Sequence, residues 1–198
     1  MSGYAASAAE VKALREATGA GIMECKNALR ESGGDQDAAV KLLRERGIAK
    51  SGKRADRTTT EGLIEAYVHG GRIGVLVEIG CETDFVAGTD EFKAFAHEIA
   101  LQISASGEAR WVSLEDVPAE LIESELGIYR AQAADKPENV RDKIAQGKLD
   151  KWLSTVCLLE QPYVRDSDRT VEDLRVEIGA KTGENVQIKR FTRYERGA

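Results

Sequence analysis

Residues 64–81 read IEAYVHGGRIGVLVEIGC. Ile64, Ala66 and Val68 alternate with other residues, the pair Gly70-Gly71 interrupts, and Ile73, Val75, Val77, Ile79 and Cys81 alternate again. Period two on both sides of a glycine pair predicts two antiparallel strands joined by a tight turn, since glycine alone enters the left-handed turn conformations without steric cost. Beyond Gly88, Thr89 is placed to cap a helix whose Phe92, Phe95, Ile99 and Ile103 share one face. Glu82 to Gly88 is therefore the connection from a strand to an amphipathic helix. Within it Thr83, Asp84, Phe85 and Val86 stand out, because Phe85 and Val86 are apolar where a connection is normally polar. Either Phe85 folds inward beneath the sheet with Asp84 capping the next helix, or it stands outward as an aromatic anchor of the kind that dominates interfaces. The residue pattern leaves both open.

Upstream, the chain reads as three short helices. Ser7-Ala8-Ala9-Glu10 has the spacing of a capping box, Val11 and Leu14 recur at helical spacing, and Gly19 and Gly21 break the chain after Thr18. Ile22, Cys25 and Leu29 mark a second helix ending before Gly33-Gly34. Asp35 can cap a third, with Ala39, Leu42 and Leu43 on its apolar face and Gly47 as its stop. Residues 49–60 then turn polar and basic (Lys50, Lys53, Arg54, Arg57), which reads as a solvated linker, part of which can be helical, rather than a phosphate-binding segment, since no Gly-rich loop accompanies it.

Downstream, Pro118 opens a helix striped by Ile122, Leu126 and Tyr129. Pro137 opens another that reaches Lys151 and Trp152, with Gly147 as an interruption. Gln161-Pro162-Tyr163-Val164 is extended by the restriction proline places on its predecessor. Thr170 caps a last helix, and Val186 and Ile188 begin a closing strand. The resulting class is α+β, divided as a three-helix module at 1–48, a basic linker at 49–60 and a core at 61–198 of small antiparallel sheet covered by helices.

Chemistry-bearing patterns are sparse. Cys25, Cys81 and Cys157 are scattered, with neither a Cys-x-x-Cys pair nor a disulfide framework, as expected in a reducing compartment. His69 and His97 have no nucleophile or metal partner at a diagnostic spacing. Walker, GxGxxG and His-Glu-x-x-His patterns are missing, so the expectation is a binding protein, with no enzyme activity, cofactor or metal site. No apolar run approaches the roughly 18 residues of a membrane helix, and the N-terminal residues lack a signal-peptide pattern, so the expected location is cytoplasmic. The net charge of −6 gives no overall pull toward nucleic acid, although residues 1–57 hold 11 Lys and Arg against 8 Asp and Glu. The tail at 189–196 interleaves basic and aromatic residues as single-strand nucleic-acid binders do, but a terminal strand with one charged face is the favoured reading, with no direct nucleic-acid contact.

Two stretches carry a resemblance: LREATGAGIMECKNAL at 14–29 and CETDFV at 81–86. With Gly47-Ile48-Ala49-Lys50, Leu159-Glu160-Gln161-Pro162, Gly183-Glu184-Asn185 and Arg190-Phe191 in the same order, the whole chain resembles the elongation factor Ts family of translational guanine nucleotide exchange factors, in its short form. The resemblance implies a ubiquitin-associated-like head and a partner, elongation factor Tu, bound with GDP and nucleotide-free. It implies contact by the head through Arg15, Gly21, Ile22 and Met23, where many relatives carry methionine at the position of Ile22. Thr83, Asp84, Phe85 and Val86 would form a turn that intrudes beside the partner's magnesium site and promotes GDP release by disturbing magnesium and phosphate. A short member with one core subdomain is further expected to act as a homodimer or in a 2:2 complex.

Overall fold

The computed structural model describes residues 4–197. Eight α-helices lie among them: α1 (Ala8–Thr18), α2 (Ile22–Glu31), α3 (Gln36–Arg54), α4 (Asp84–Ala87), α5 (Asp90–Ser106), α6 (Ala119–Gln132), α7 (Glu138–Val156) and α8 (Val171–Thr182). The strands are β1 (Glu61–His69), β2 (Ile73–Cys81), β3 (Pro162–Tyr163), β4 (Asp166–Thr170) and β5 (Gln187–Glu195). A three-stranded antiparallel sheet has the order β1-β2-β5, and β3 and β4 form a separate two-stranded ribbon. The α+β class expected from the hydrophobic patterning is the one observed.

The hairpin turns where the glycines predict. Gly70 and Gly71 sit at φ 55° and 67°, and the Arg72 amide donates to the His69 carbonyl at 2.9 Å. Two successive left-handed residues match the right-handed twist of the flanking strands, which a side chain at either position would oppose. Val75, Val77, Ile79 and Cys81 are all buried, as their alternation requires. The alternation in β1 works the other way. Ile64 and Val68 are 66% and 67% exposed, and the half-buried side is Leu63, Glu65 and Tyr67.

The chain forms two compact units. The first comprises residues 1–63, 79–96 and 173–187. In it α1, α2 and α3 pack pairwise around Val11, Leu14, Cys25, Ala28, Leu29, Ala39 and Leu43. The capping box at Ser7 is formed: Glu10 accepts from the Ser7 amide at 2.7 Å and from its hydroxyl at 2.6 Å, and also from the Tyr4 hydroxyl. These donors hold the Glu10 carboxyl down at about 2, the Ser7 hydroxyl first and the Tyr4 hydroxyl second. Gly19 closes α1 at φ 67°, and Asp35 caps α3 through the Ala38 amide at 3.0 Å. Gly47 does not stop α3, which continues to Arg54. A glycine inside a helix costs about 1 kcal/mol relative to alanine. Here the missing side chain makes room: a Cβ on Gly47 would lie 3.1 Å from Val176 Cγ1 of α8. The basic stretch from Lys50 to Arg54 is thus the last part of a helix.

The second unit comprises residues 64–78, 97–172 and 188–198. Its α6 packs against α7, and α7 runs through Gly147 without a break, although nothing around that residue requires a glycine. Val117, Val156 and Cys157 form a small core with Trp111 and Trp152, whose rings meet edge to face with centroids 6.1 Å apart. The extended stretch at Pro162-Tyr163 is one arm of the β3–β4 ribbon, and β4 is a strand that the hydrophobic pattern does not announce. The basic and aromatic tail is β5, in which Arg190 pairs with Glu78 at 2.7 Å and Arg193 with Glu195 at 2.8 Å.

Candidate functional site

The connection at 82–88 is a helical turn, α4, held at both ends. The Thr83 hydroxyl caps it by accepting from the Val86 amide at 3.4 Å. The Thr89 hydroxyl donates to the Val86 carbonyl at 2.8 Å and accepts from the Phe92 amide at 3.3 Å, joining the end of α4 to the start of α5. Thr83, not Asp84, is therefore the cap. Neighbouring residues of one helical turn point in different directions, which separates the two apolar side chains. Val86 is buried at 6% exposure, whereas Phe85 is 81% exposed. The inward reading of Phe85 is excluded, and its ring stands in solvent on a turn that Val86 roots. Asp84 is also exposed and has no side-chain hydrogen bond among the described residues.

Behind the turn lies a residue far away in sequence. One carboxylate oxygen of Glu184 accepts from the backbone amides of Glu82 at 2.9 Å and Thr83 at 3.1 Å. The other accepts from the Thr83 hydroxyl at 2.6 Å. The next residue, Asn185, is 2% exposed. Its amide donates to Glu82 at 2.6 Å, and its side chain donates to the carbonyls of Ala55 at 3.2 Å and Arg57 at 2.9 Å. Arg57 reaches the same Glu82 carboxylate oxygen at 3.3 Å. The turn is thereby tied to the residues that follow α3.

The four head residues are displayed on α1 and at the start of α2. Ile22 is 58% and Met23 63% exposed, which leaves two adjacent apolar side chains in water on a module whose other apolar residues are largely buried. Gly21 precedes α2 with an ordinary φ of −63°, and a Cβ there would meet only Glu24 at ordinary distance, so the fold does not demand glycine. Arg15 is exposed and has no ion-pair partner among the described residues, whereas Lys12 pairs with Glu16 and Lys181 with Glu177.

Arg15 also joins the two sets of residues. A groove of about 600 Å³ is walled by α1 through Lys12 and Arg15, by Phe85 and Val86, and by Lys181 and Thr182 of α8. A second groove of about 440 Å³ is lined by Lys12 and Arg15 with Val11, Ile22 and Lys26. Arg15 thus lines both grooves, with Phe85 and Val86 in the first and Ile22 in the second, all within the first unit. Thr83, Asp84, Gly21 and Met23 line neither. Sequence reasoning missed Lys181 and Glu184; the latter lies in the quoted stretch Gly183-Glu184-Asn185, but nothing local announces a contact about a hundred residues away.

Among the described residues no group of three or more His, Cys, Asp or Glu is placed to hold a metal ion, and no helix is long and apolar enough to cross a membrane. His97 sits 2.9 Å from Glu65, and His69 shares a 3.0 Å hydrogen bond with Tyr67.

The fold and site define an α+β protein with a helical head that exposes Ile22 and Met23, and with a projecting aromatic turn that shares a groove with Arg15. The family model for elongation factor TS matches residues 27–198. The chain is 57% identical to elongation factor Ts of Thermotoga petrophila over 188 residues, 94% of each protein. It is 56% identical to that of Caldanaerobacter subterraneus over 194 residues, 96% of each. It is also 56% identical to that of Carboxydothermus hydrogenoformans over 190 residues, 94% of this chain and 87% of the relative. The chain belongs to the elongation factor Ts family.

Proposed function

We propose that this chain is a cytoplasmic exchange factor that binds elongation factor Tu, both GDP-bound and nucleotide-free, and promotes GDP release by disturbing the partner's magnesium and phosphate site. The observation that carries this reading is Phe85: a large aromatic ring 81% exposed on a turn fixed from both ends, beside the groove that Arg15 shares. An isolated ring in water is costly to keep and gains most when buried in a partner. Guanosine diphosphate is held partly by a magnesium ion bridging its phosphate oxygens to protein. A ring driven between the helices around that ion shifts its ligands, and the diphosphate's charge is then poorly compensated. In this mechanism Phe85 is the wedge. Asp84, whose carboxylate has no hydrogen bond among the described residues, orients the wedge through hydrogen bonds to the partner. Thr83 and Val86 set the turn's shape, and Arg15, Gly21, Ile22 and Met23 dock the head.

Such a factor works by coupling two ligands of one protein, and the coupling is reciprocal. Titration of elongation factor Tu with this chain, with and without GDP, is expected to show weaker binding when GDP is present. GDP affinity should fall by the same factor when the chain saturates the partner. Equal affinity for the two nucleotide states contradicts the reading.

We further propose a homodimer, or a 2:2 complex with the partner. The support is the sheet side formed by Ile64, Val68 and Leu76, exposed at 66%, 67% and 48%. A two-fold pairing of that side on itself would bury all three from each copy. Sedimentation at micromolar concentration is expected to give a dimer, and Val68→Lys a monomer. A monomeric wild type contradicts it.

A further inference from the structure

We infer that Glu184 is the positioning residue of the exchange turn, the group that sets where Phe85 is presented. The inference rests on the exchange reading above and adds a residue to it. Glu82 and Thr83 are the last residues before α4, and their amides point the same way, toward a single carboxylate oxygen at 2.9 and 3.1 Å. Hydrogen bonds to an ionised acceptor are roughly twice as strong as neutral ones. The second oxygen accepts a hydrogen bond from the Thr83 hydroxyl at 2.6 Å, which leaves the Thr83 oxygen lone pairs to accept from the Val86 amide. One side chain thus fixes the backbone entering the turn and the rotamer of the cap that forms it.

The fixation extends to the head. Glu184 is followed by Asn185, whose side-chain amide is bonded to two carbonyls just beyond α3, and whose backbone amide is bonded to Glu82. Arg57 holds Glu82 from the other side. The α3 helix is also a wall of the head core, through Ala39 and Leu43. The head core therefore connects to the base of the turn through α3 and the hydrogen bonds that follow it, within one compact unit. Phe85 itself makes none of these contacts, so the ring is free to enter a partner while its root stays fixed.

The test compares wild type, Glu184→Ala and Glu184→Gln in two measurements. The first is release of a fluorescent GDP analogue from elongation factor Tu across a range of factor concentrations, separating the saturating rate from the half-saturating concentration. Glu184→Ala is expected to lower the saturating rate at least tenfold and to change the half-saturating concentration less than threefold, because the head surface is intact. Glu184→Gln keeps an oxygen for the two amides and is expected to recover most of the rate. The second is amide hydrogen exchange of the free chain, in which Glu82 and Thr83 should exchange faster in Glu184→Ala, while Leu14 and Leu29 in the head core keep their protection. A wild-type saturating rate in Glu184→Ala overturns the positioning role. So does a loss of Leu14 and Leu29 protection equal to that of Thr83, since the residue would then be serving general stability. If wild type accelerates no release, the exchange reading fails, and the amide measurement alone decides whether Glu184 holds the turn.

Discussion

Phe85→Ala is expected to reduce the saturating rate of GDP release from elongation factor Tu by roughly 30- to 1,000-fold, the range that follows from about 2–4 kcal/mol for truncating an aromatic anchor. The folded chain should scarcely register the change. The ring is 81% exposed, so its removal uncovers no cavity, and surface substitutions of this kind stay within about 0.5 kcal/mol. Val86, its neighbour, is the opposite case: at 6% exposure it anchors α4, and its truncation would confuse loss of the turn with loss of the wedge. The measurement is stopped-flow release of the labelled nucleotide, paired with thermal unfolding of the free variant. A variant with unchanged melting and unchanged release would remove the wedge from the mechanism. A variant that melts well below wild type would show that Phe85 also serves the fold.

The largest expected effect on stability is at Gly62, in β1. Its φ is +148°, a region that residues with side chains rarely enter. A Cβ built there would stand 2.0 Å from the Ile79 carbonyl oxygen and 2.9 Å from the Gly80 Cα. Both obstacles are backbone atoms of β2, so no side-chain rotation relieves the clash, and the strands must separate locally. Gly62→Ala should cost about 3 kcal/mol or more, combining backbone strain with lost pairing. For a chain of this size that corresponds to a melting temperature lower by about 6–12 °C. Gly74→Ala, in β2 of the same sheet, is the control: its surroundings are open and its φ is ordinary, so it should be neutral or stabilise by up to about 1 kcal/mol. Calorimetry showing the two variants melting alike would contradict the close approach of β1 and β2 at Gly62.

Much of the fold was legible because local signals and tertiary packing agree. The period-two pattern and the Gly70-Gly71 pair place the hairpin, and Ser7, Asp35 and Thr89 cap the helices they precede. Local signals misled where packing decided otherwise. Gly47 reads as a stop, but the close approach of Val176 on α8, invisible to any local window, gives glycine a use inside α3. β4 was missed because Asp166-Ser167-Asp168-Arg169-Thr170 has no apolar alternation, yet it pairs antiparallel with β3. The apolar residues of β1 were legible as a strand but not as the exposed side, since alternation has the same period whichever side meets water.

The candidate site divides in the same way. The turn was conspicuous as two apolar residues in a connection, yet the outward stance of Phe85 depends on Thr83 capping α4 in place of Asp84, which the order of residues does not settle. Arg15 and Phe85 are 70 positions apart, and only the folded unit shows that they line one groove. Glu184 is more remote still from the amides it accepts, and a solitary glutamate among 34 acidic residues carries no signal of its own.

Exchange activity is tested most directly by the release of a labelled GDP from elongation factor Tu in magnesium-containing buffer, with unlabelled nucleotide in excess, as the wild-type chain is titrated in. The release rate is expected to rise with chain concentration to a plateau well above the spontaneous rate, and to fall back toward the spontaneous rate with Phe85→Ala. A release rate that does not change at any concentration of the wild-type chain would contradict it.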